Sequence, residues 1–170
     1  MVAPATSEDV KKWASPYTAA VSARSPQESD ELMDFALATG LENLEKLLMA
    51  RLPDIYARSG YGGTFDSFLV RSGFSYTDLD SVLDKIVDVA VLKWSHISAT
   101  LVALYNRLIA HDSAAYGSEV PIYIEQRNHW DKKLKEYFAL EWQLLRLDLN
   151  DDDVVSDFER PRTQNSFMRV

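Results

Sequence analysis

Hydrophobic residues recur along this chain at intervals of three and four, the spacing that gathers side chains on one face of an α-helix. Met33, Leu37, Leu41, Leu44, Leu48 and Leu52 form one such stripe. It follows Ser25-Pro26-Gln27-Glu28, where a serine N-cap, a proline at the first helical position and a glutamate placed for a capping box predict a helix start. Gly40 is expected to bend or divide this segment and Pro53 to close it. Upstream, Thr6-Ser7-Glu8-Asp9 predicts the cap of a short first helix that ends near Ser15-Pro16, since proline disfavours helical geometry in the residue before it. A longer stripe, Leu79, Leu83, Ile86, Ala90, Trp94, Ile97, Leu101, Leu104 and Leu108, starts at the cap Thr77-Asp78-Leu79-Asp80 and meets no glycine or proline through residue 112. One continuous helix over 77–112 would extend ~54 Å at 1.5 Å per residue, more than a domain of this size needs. It must break, project or form the spine of the domain. The last stripe, Trp130, Leu134, Phe138, Trp142 and Leu145, belongs to a helix expected over 119–147, with Pro121 in its first turn and Asp131, Lys132, Lys135 and Glu136 facing water. The short link at 114–118 favours antiparallel packing of these two helices.

Between the second and third segments, residues 54–73 read as a connector. Gly60, Gly62, Gly63 and Gly73 mark turns around Tyr61, Phe65, Phe68 and Phe74. The expected fold class is therefore all-α: a bundle of about four helices with two long antiparallel helices and an extended C-terminal arm. Residues 1–147 form the helical domain, and 148–170 an acidic linker and arm.

Composition narrows the function. A chain of 170 residues that is 46% hydrophobic and 11% aromatic has enough apolar surface for one core, and its formal charge of -8 opposes tight binding to phosphate. There are no cysteines, which removes disulfides, thiolate metal sites and cysteine nucleophiles. The N-terminal stretch lacks the apolar run of a cleaved signal, and no apolar run approaches the ~18 to 20 residues of a membrane span.

Candidate chemistry is sparse. His96 lies near Lys93 and Thr100 in a polar strip, His111 at a helix end, and Glu125 with His129 forms an i, i+4 pair. All three histidines read as surface or helix-terminal groups, and the H-E-x-x-H pattern of a zinc protease is absent. Residues 148–159 carry oxygen side chains at the first, third, fifth and ninth positions of an EF-hand loop and Glu159 at the twelfth. Asp153 nevertheless stands where the sharp turn needs glycine. An acidic linker is the expectation there. Gly60-Tyr61-Gly62-Gly63 lacks the lysine and spacing of a phosphate-binding loop, and no G-x-S-x-G elbow occurs. Trp94, Trp130, Tyr137, Phe138 and Trp142 read as core or subunit interface rather than a cofactor box. No catalytic residue, cofactor or metal is assigned, and the protein is not expected to be an enzyme.

After Glu159 the chain turns net basic and loses its helical period, with Phe167 and Met168 near its end. Such a segment suits an arm that orders on a partner. Three features carry a resemblance: the leucine-rich segment from Leu41 to Pro53, the long helix from Asp80 to Leu108, and the W-x-x-x-L-x-x-x-F pattern of Trp130, Leu134 and Phe138. The closing stretch Asp157-Phe158-Glu159-Arg160-Pro161-Arg162-Thr163-Gln164-Asn165-Ser166-Phe167 adds a fourth. Over residues 29–170 this layout resembles the head-tail connector, or adaptor, proteins of tailed bacteriophages and their archaeal relatives. The resemblance implies an all-α structural virion protein, made in the host cytoplasm and located in the neck between head and tail. It implies a ring, commonly dodecameric, beneath the portal protein, contacting neighbouring copies and a tail-side connector or tail protein. DNA would pass through the lumen without specific binding. Arg160, Arg162, Phe167 and Met168 are the expected partner-binding residues. The rival expectation is a small helical regulatory or ligand-binding module.

Overall fold

The computed structural model describes residues 3–14, 26–59, 61–72, 80–112 and 120–148. Within them the chain is mostly helical and contains no β-strand, so the fold is all-α. The helices are α1 (Ser7–Lys11), α2 (Pro26–Met49), α3 (Leu52–Ser59), α4 (Phe65–Arg71), α5 (Asp80–Asp84), α6 (Lys93–Asp112) and α7 (Val120–Trp142), with a 3-10 turn at Val89–Leu92 before α6. The anticipated cap at the start of α1 is a full capping box: Asp9 N–H donates to Thr6 Oγ1 at 3.4 Å, and Thr6 N–H donates to Asp9 Oδ2 at 3.2 Å.

Two expectations about α2 are corrected. Gly40 does not divide the helix, which runs unbroken to Met49. Its role is close approach: a Cβ on Gly40 would lie 2.5 Å from Thr100 Oγ1 and 2.7 Å from both Thr100 Cα and N, so the absent side chain lets α2 pack against the backbone of α6. Nor does Pro53 close α2. The chain leaves the helix at Ala50 and Arg51, and Pro53 sits in the first turn of α3, where its missing N–H has no intrahelical partner to lose.

The connector is more helical than its glycines suggest. Thr64 caps α4 by accepting from Ser67 N–H at 3.3 Å, and the rings of Tyr56, Phe65 and Phe68 pack within 5.3–6.3 Å of one another, centroid to centroid. Aromatic burial at the base of the bundle outweighs the turn propensity of this stretch. Of the alternatives for the helical segment 77–112, the structure shows a break after α5. Ile86 pairs with Leu147 in an isolated antiparallel bridge, in which Val87 N–H donates to Arg146 O at 3.0 Å and Asp148 N–H to Lys85 O at 2.8 Å. Asp88 then caps the 3-10 turn through Ala90 N–H at 3.1 Å. A helical period survives across 83–97, but a capping aspartate among β-branched valines favours the extended pairing once 146–148 supplies a partner.

Helices α6 and α7 run antiparallel, since Tyr105 on the second half of α6 stacks near Tyr123 on the first half of α7 while Glu141 at the end of α7 reaches the start of α6. The predicted inner stripe of α7 is buried in full: Trp130, Leu134, Phe138 and Trp142, with Leu145 beyond the helix end. One core cluster joins the second half of α2 with α3, α4, α5 and the end of α7. The other joins α1, the first half of α2, α6 and the first half of α7. Between them α6 is enclosed on every side from Ser95 to Leu101.

Replacing Gly40 with alanine tests this packing. In an exposed helix the change would stabilise by ~1 kcal/mol, whereas here the α2–α6 contact must open, and a net loss of about 1–3 kcal/mol is expected from chemical denaturation. A gain in stability would contradict the close contact.

Candidate functional site

The densest polar cluster lies at the buried start of α6. A helix N-terminus presents N–H groups that lack carbonyl partners within the helix, and the residues just before α6, Val89-Ala90-Val91-Leu92, offer no side-chain oxygen. Glu141, on the last turn of α7, supplies the acceptor. Its Oε1 accepts from Trp94 N–H at 2.9 Å, and its Oε2 accepts from Ser95 N–H at 2.9 Å and from Ser95 Oγ–H. The carboxyl is buried, and that burial pushes its pKa above the ordinary glutamate value even though the three hydrogen bonds from α6 oppose the shift.

Next to it, His96 is also buried, contrary to the expected surface position. The reason is the enclosure of α6: the strip of Ser95, His96, Ser98 and Thr100 that looked solvent-facing is covered by neighbouring elements. The imidazole Nδ1 accepts from Ala5 N–H at 3.1 Å, and Nε2 lies 3.4 Å from Leu37 O, an arrangement that fits the neutral ring protonated at Nε2. Desolvation lowers its pKa, with the Leu37 carbonyl opposing. His96 therefore pins residues 3–14 to the bundle. Asp9 adds an ion pair to Lys93 at 2.7 Å, which with its cap bonds holds the Asp9 carboxyl at about 2, and Trp13 meets Trp94 edge-on at 5.3 Å.

The other sequence candidates are not brought together. Glu125 and His129 are exposed on α7, with His129 edge-on to Trp130 at 5.3 Å. His111 occupies the last turn of α6. The glycine loop is filled by its own residues: Tyr56 OH donates to Gly63 O at 2.6 Å, and a Cβ on Gly63 would meet the Tyr61 ring at 2.6 Å. Among the described residues no group of three or more acidic or histidine side chains is placed to hold a metal ion, and no helix is long and apolar enough to cross a membrane. Of the EF-hand-like stretch only Asp148 is described. Arg160, Arg162, Phe167 and Met168 lie outside the described residues, as does the remainder of the arm.

Glu141 and Ala5 carried no signal of their own in the sequence. The available clue was negative: a strong helix whose start lacks a local serine, threonine, asparagine or aspartate cap needs a remote acceptor. The aromatic set divides as well. Trp130, Phe138 and Trp142 are core, whereas Trp94 stacks on Tyr137 at 5.7 Å at the surface, and Leu140 on α7 and Leu144 just past its end are exposed.

The chain matches no protein-family model, no curated protein and no solved structure.

Substituting Glu141 with alanine leaves the buried N–H of Ser95 and the part-buried N–H of Trp94 without an acceptor, and a loss of about 2–4 kcal/mol is expected in denaturant unfolding. Glutamine should cost less, because one amide oxygen can still accept from one of the two N–H groups; equal losses for alanine and glutamine would refute the cap. For His96 the sign follows from its lowered pKa. The unfolded chain takes up the proton first, so stability is complete above the ordinary histidine value of 6.5 and falls as the pH drops below it. Unfolding measured between about pH 7 and about pH 5 should show this loss, and His96→Gln should flatten the profile over that interval.

Proposed function

We propose that the protein is a structural virion component, a head-tail adaptor that assembles as a ring beneath a portal and joins the DNA-filled head to the tail. In this reading residues 159–170 form an arm that docks on the portal or a neighbouring subunit. The observation that supports it most is the division of labour in the bundle. Two of its buried ionisable side chains, His96 and Glu141, are engaged in holding α1 and α6, while large apolar side chains remain outside on α7 and at the start of α6. Apolar surface left outside suits assembly with other chains. The likeness of residues 29–170 to connector proteins points the same way. The net charge of -8 fits a channel that DNA must traverse without being gripped. The arm differs in charge, with Arg160, Arg162 and Arg169 against the single carboxylate side chain of Glu159.

Co-sedimentation with a portal ring provides the test, comparing the full chain with one ending at Asp157. Truncation should weaken docking at least about tenfold, a change of about 1.4 kcal/mol. Undiminished docking would reject the role assigned to Arg160, Arg162, Phe167 and Met168, and no docking by the full chain would reject the adaptor reading.

A further inference from the structure

Two exposed faces of the bundle set apolar side chains among charges of opposite sign. The first lies where α7 meets the start of α6. Tyr137 on α7 stacks on Trp94 at 5.7 Å, and Trp94 meets Trp13 at 5.3 Å, with the two indoles 38% and 48% exposed. Leu140, one turn after Tyr137, is 61% exposed. Cations accompany this strip: Lys12 precedes Trp13, Lys93 precedes Trp94, Lys133 Nζ lies 5.7 Å from the centre of the Tyr137 ring, and Arg146 stands just past the end of α7. The nearby carboxylates are engaged, Asp9 by Lys93, Asp88 by Ala90 N–H and Glu136 by Lys133. Lys12 and Arg146 have no carboxylate partner among the described residues.

The second face belongs to α2. Glu31, Phe35, Ala38 and Glu42 are exposed at helical spacing, with Asp34 exposed beside them. Phe35, in the middle of these carboxylates, is 47% exposed. Residues 26–45 hold no lysine or arginine. The cations that reach the face come from outside that stretch: Lys11 lies 3.9 Å from Asp30, Lys46 engages Glu42, and the Arg107 guanidinium lies 5.2 Å from the centre of the Phe35 ring. The two faces look in different directions. Trp94 marks the first and Arg107 the second, and on α6 these positions are ~20 Å apart along the axis and about 140° apart around it.

We propose that the occupant of the strip is a second copy of this chain, whose acidic α2 face seats Phe35 against Trp94, Tyr137 and Leu140. The inference deepens the adaptor reading and rests on it, since it names the neighbour that covers the apolar surface. Charge selects the pairing. Strip on strip would set Lys12 and Arg146 against their own counterparts, and α2 on α2 would oppose carboxylates, whereas strip on α2 joins opposite signs. A contact between two different faces is head-to-tail, so each added copy leaves one face of each kind open until the ends meet. The size of the strip fits a contact made in numbers. At ~250 Å² for a whole tryptophan, the two indoles expose roughly 200 Å². With Tyr137 and Leu140 the strip stays near half of the ~800 Å² per partner buried in a stable pair. One such contact is weak, and a closed ring gives every copy two.

The absence of native cysteine makes a crosslinking test clean. Full-length chains carrying Ala38→Cys are mixed with full-length, size-tagged chains carrying Leu140→Cys and treated with a short bis-maleimide. The control replaces Leu140→Cys with Lys135→Cys on the other side of α7. Circular dichroism confirms that each variant is folded, and Glu42→Cys, one turn further along the same face, repeats the measurement in place of Ala38→Cys. The expected result is a mixed dimer formed at least about tenfold faster than in the control and slowed by salt. Asp34→Lys on the first chain should slow it, and Lys12→Glu with Arg146→Glu on the second should restore the rate to that Asp34→Lys chain. A purely structural effect of these substitutions would not be rescued from the other molecule. Dimers joined through Leu140→Cys on both chains in place of mixed ones would overturn the proposal in favour of a symmetric contact. Rates equal to the control, or no rescue, would overturn it outright. Because the experiment uses the chain without a portal, its failure would leave portal docking to be judged on its own, and failed portal docking would leave this contact standing.

Discussion

The fold depends on satisfying the start of α6 inside the protein. An exposed helix can leave its first N–H groups to water, but this one is buried from Ser95 onward against Leu92, Ile97 and the end of α7. The apolar residues that precede it help build the core and so cannot also cap it. A carboxylate from the far end of another helix does so, and that choice fixes the register of α7 against α6: shifting α7 by one residue would turn Glu141 through about 100° and withdraw the acceptor. The same turn of α6 carries His96, whose Nδ1 anchors Ala5. One junction thus sets the relative positions of α1, α6 and α7.

Close packing around α6 has a polar cost. Among the described residues, Ser98 Oγ, Thr100 Oγ1, Tyr105 OH and Trp130 Nε1 are buried without a hydrogen-bond partner. Each such group weakens the fold by roughly 1–3 kcal/mol relative to a satisfied one. The small residues responsible also make the contact possible, because Gly40 opposite Thr100 brings two helix backbones nearer than larger side chains would allow. Tyr105 is held in its neutral form by burial, with its pKa pushed up to about 12. Dispersion and apolar burial along α2 and α6 offset these groups.

Much of the architecture was legible wherever one local rule acted alone. The capping box at Thr6 and Asp9, the start of α2 at Pro26 and the inner stripe of α7 each depend on residues a few positions apart. Reading failed where distant parts of the chain competed. Ile86 lies on a helical stripe, yet it leaves the helix because Leu147 offers a bridge. His96 belongs to a strip that is polar by composition, yet α2 and the N-terminal segment cover it. Pro53 starts α3 instead of ending α2, and local sequence does not distinguish the two roles. The capping cluster was invisible for the same reason, since Ser95 and Glu141 meet across 46 positions. The expected partner-binding residues lie in the arm, outside the described residues, so their placement adds nothing to the sequence reading.

Helix α7 shows what remains open to other molecules. A surface helix with one buried face needs an apolar stripe somewhat over 100° wide. Counting 100° per residue, the buried stripe through Trp130, Phe138 and Trp142 together with the flank of Tyr137 and Leu140 covers about 200°. Half of that arc meets α6 and the core beneath it, and the rest is outside. Selection for folding alone gives no reason to keep leucines that are mostly in water, since a charged residue there would serve solubility better. Two indoles from other elements, Trp13 and Trp94, extend the same surface, so it is composed from three parts of the chain rather than inherited from one amphipathic pattern. A surface built in this way is the mark of a contact, one made through apolar side chains.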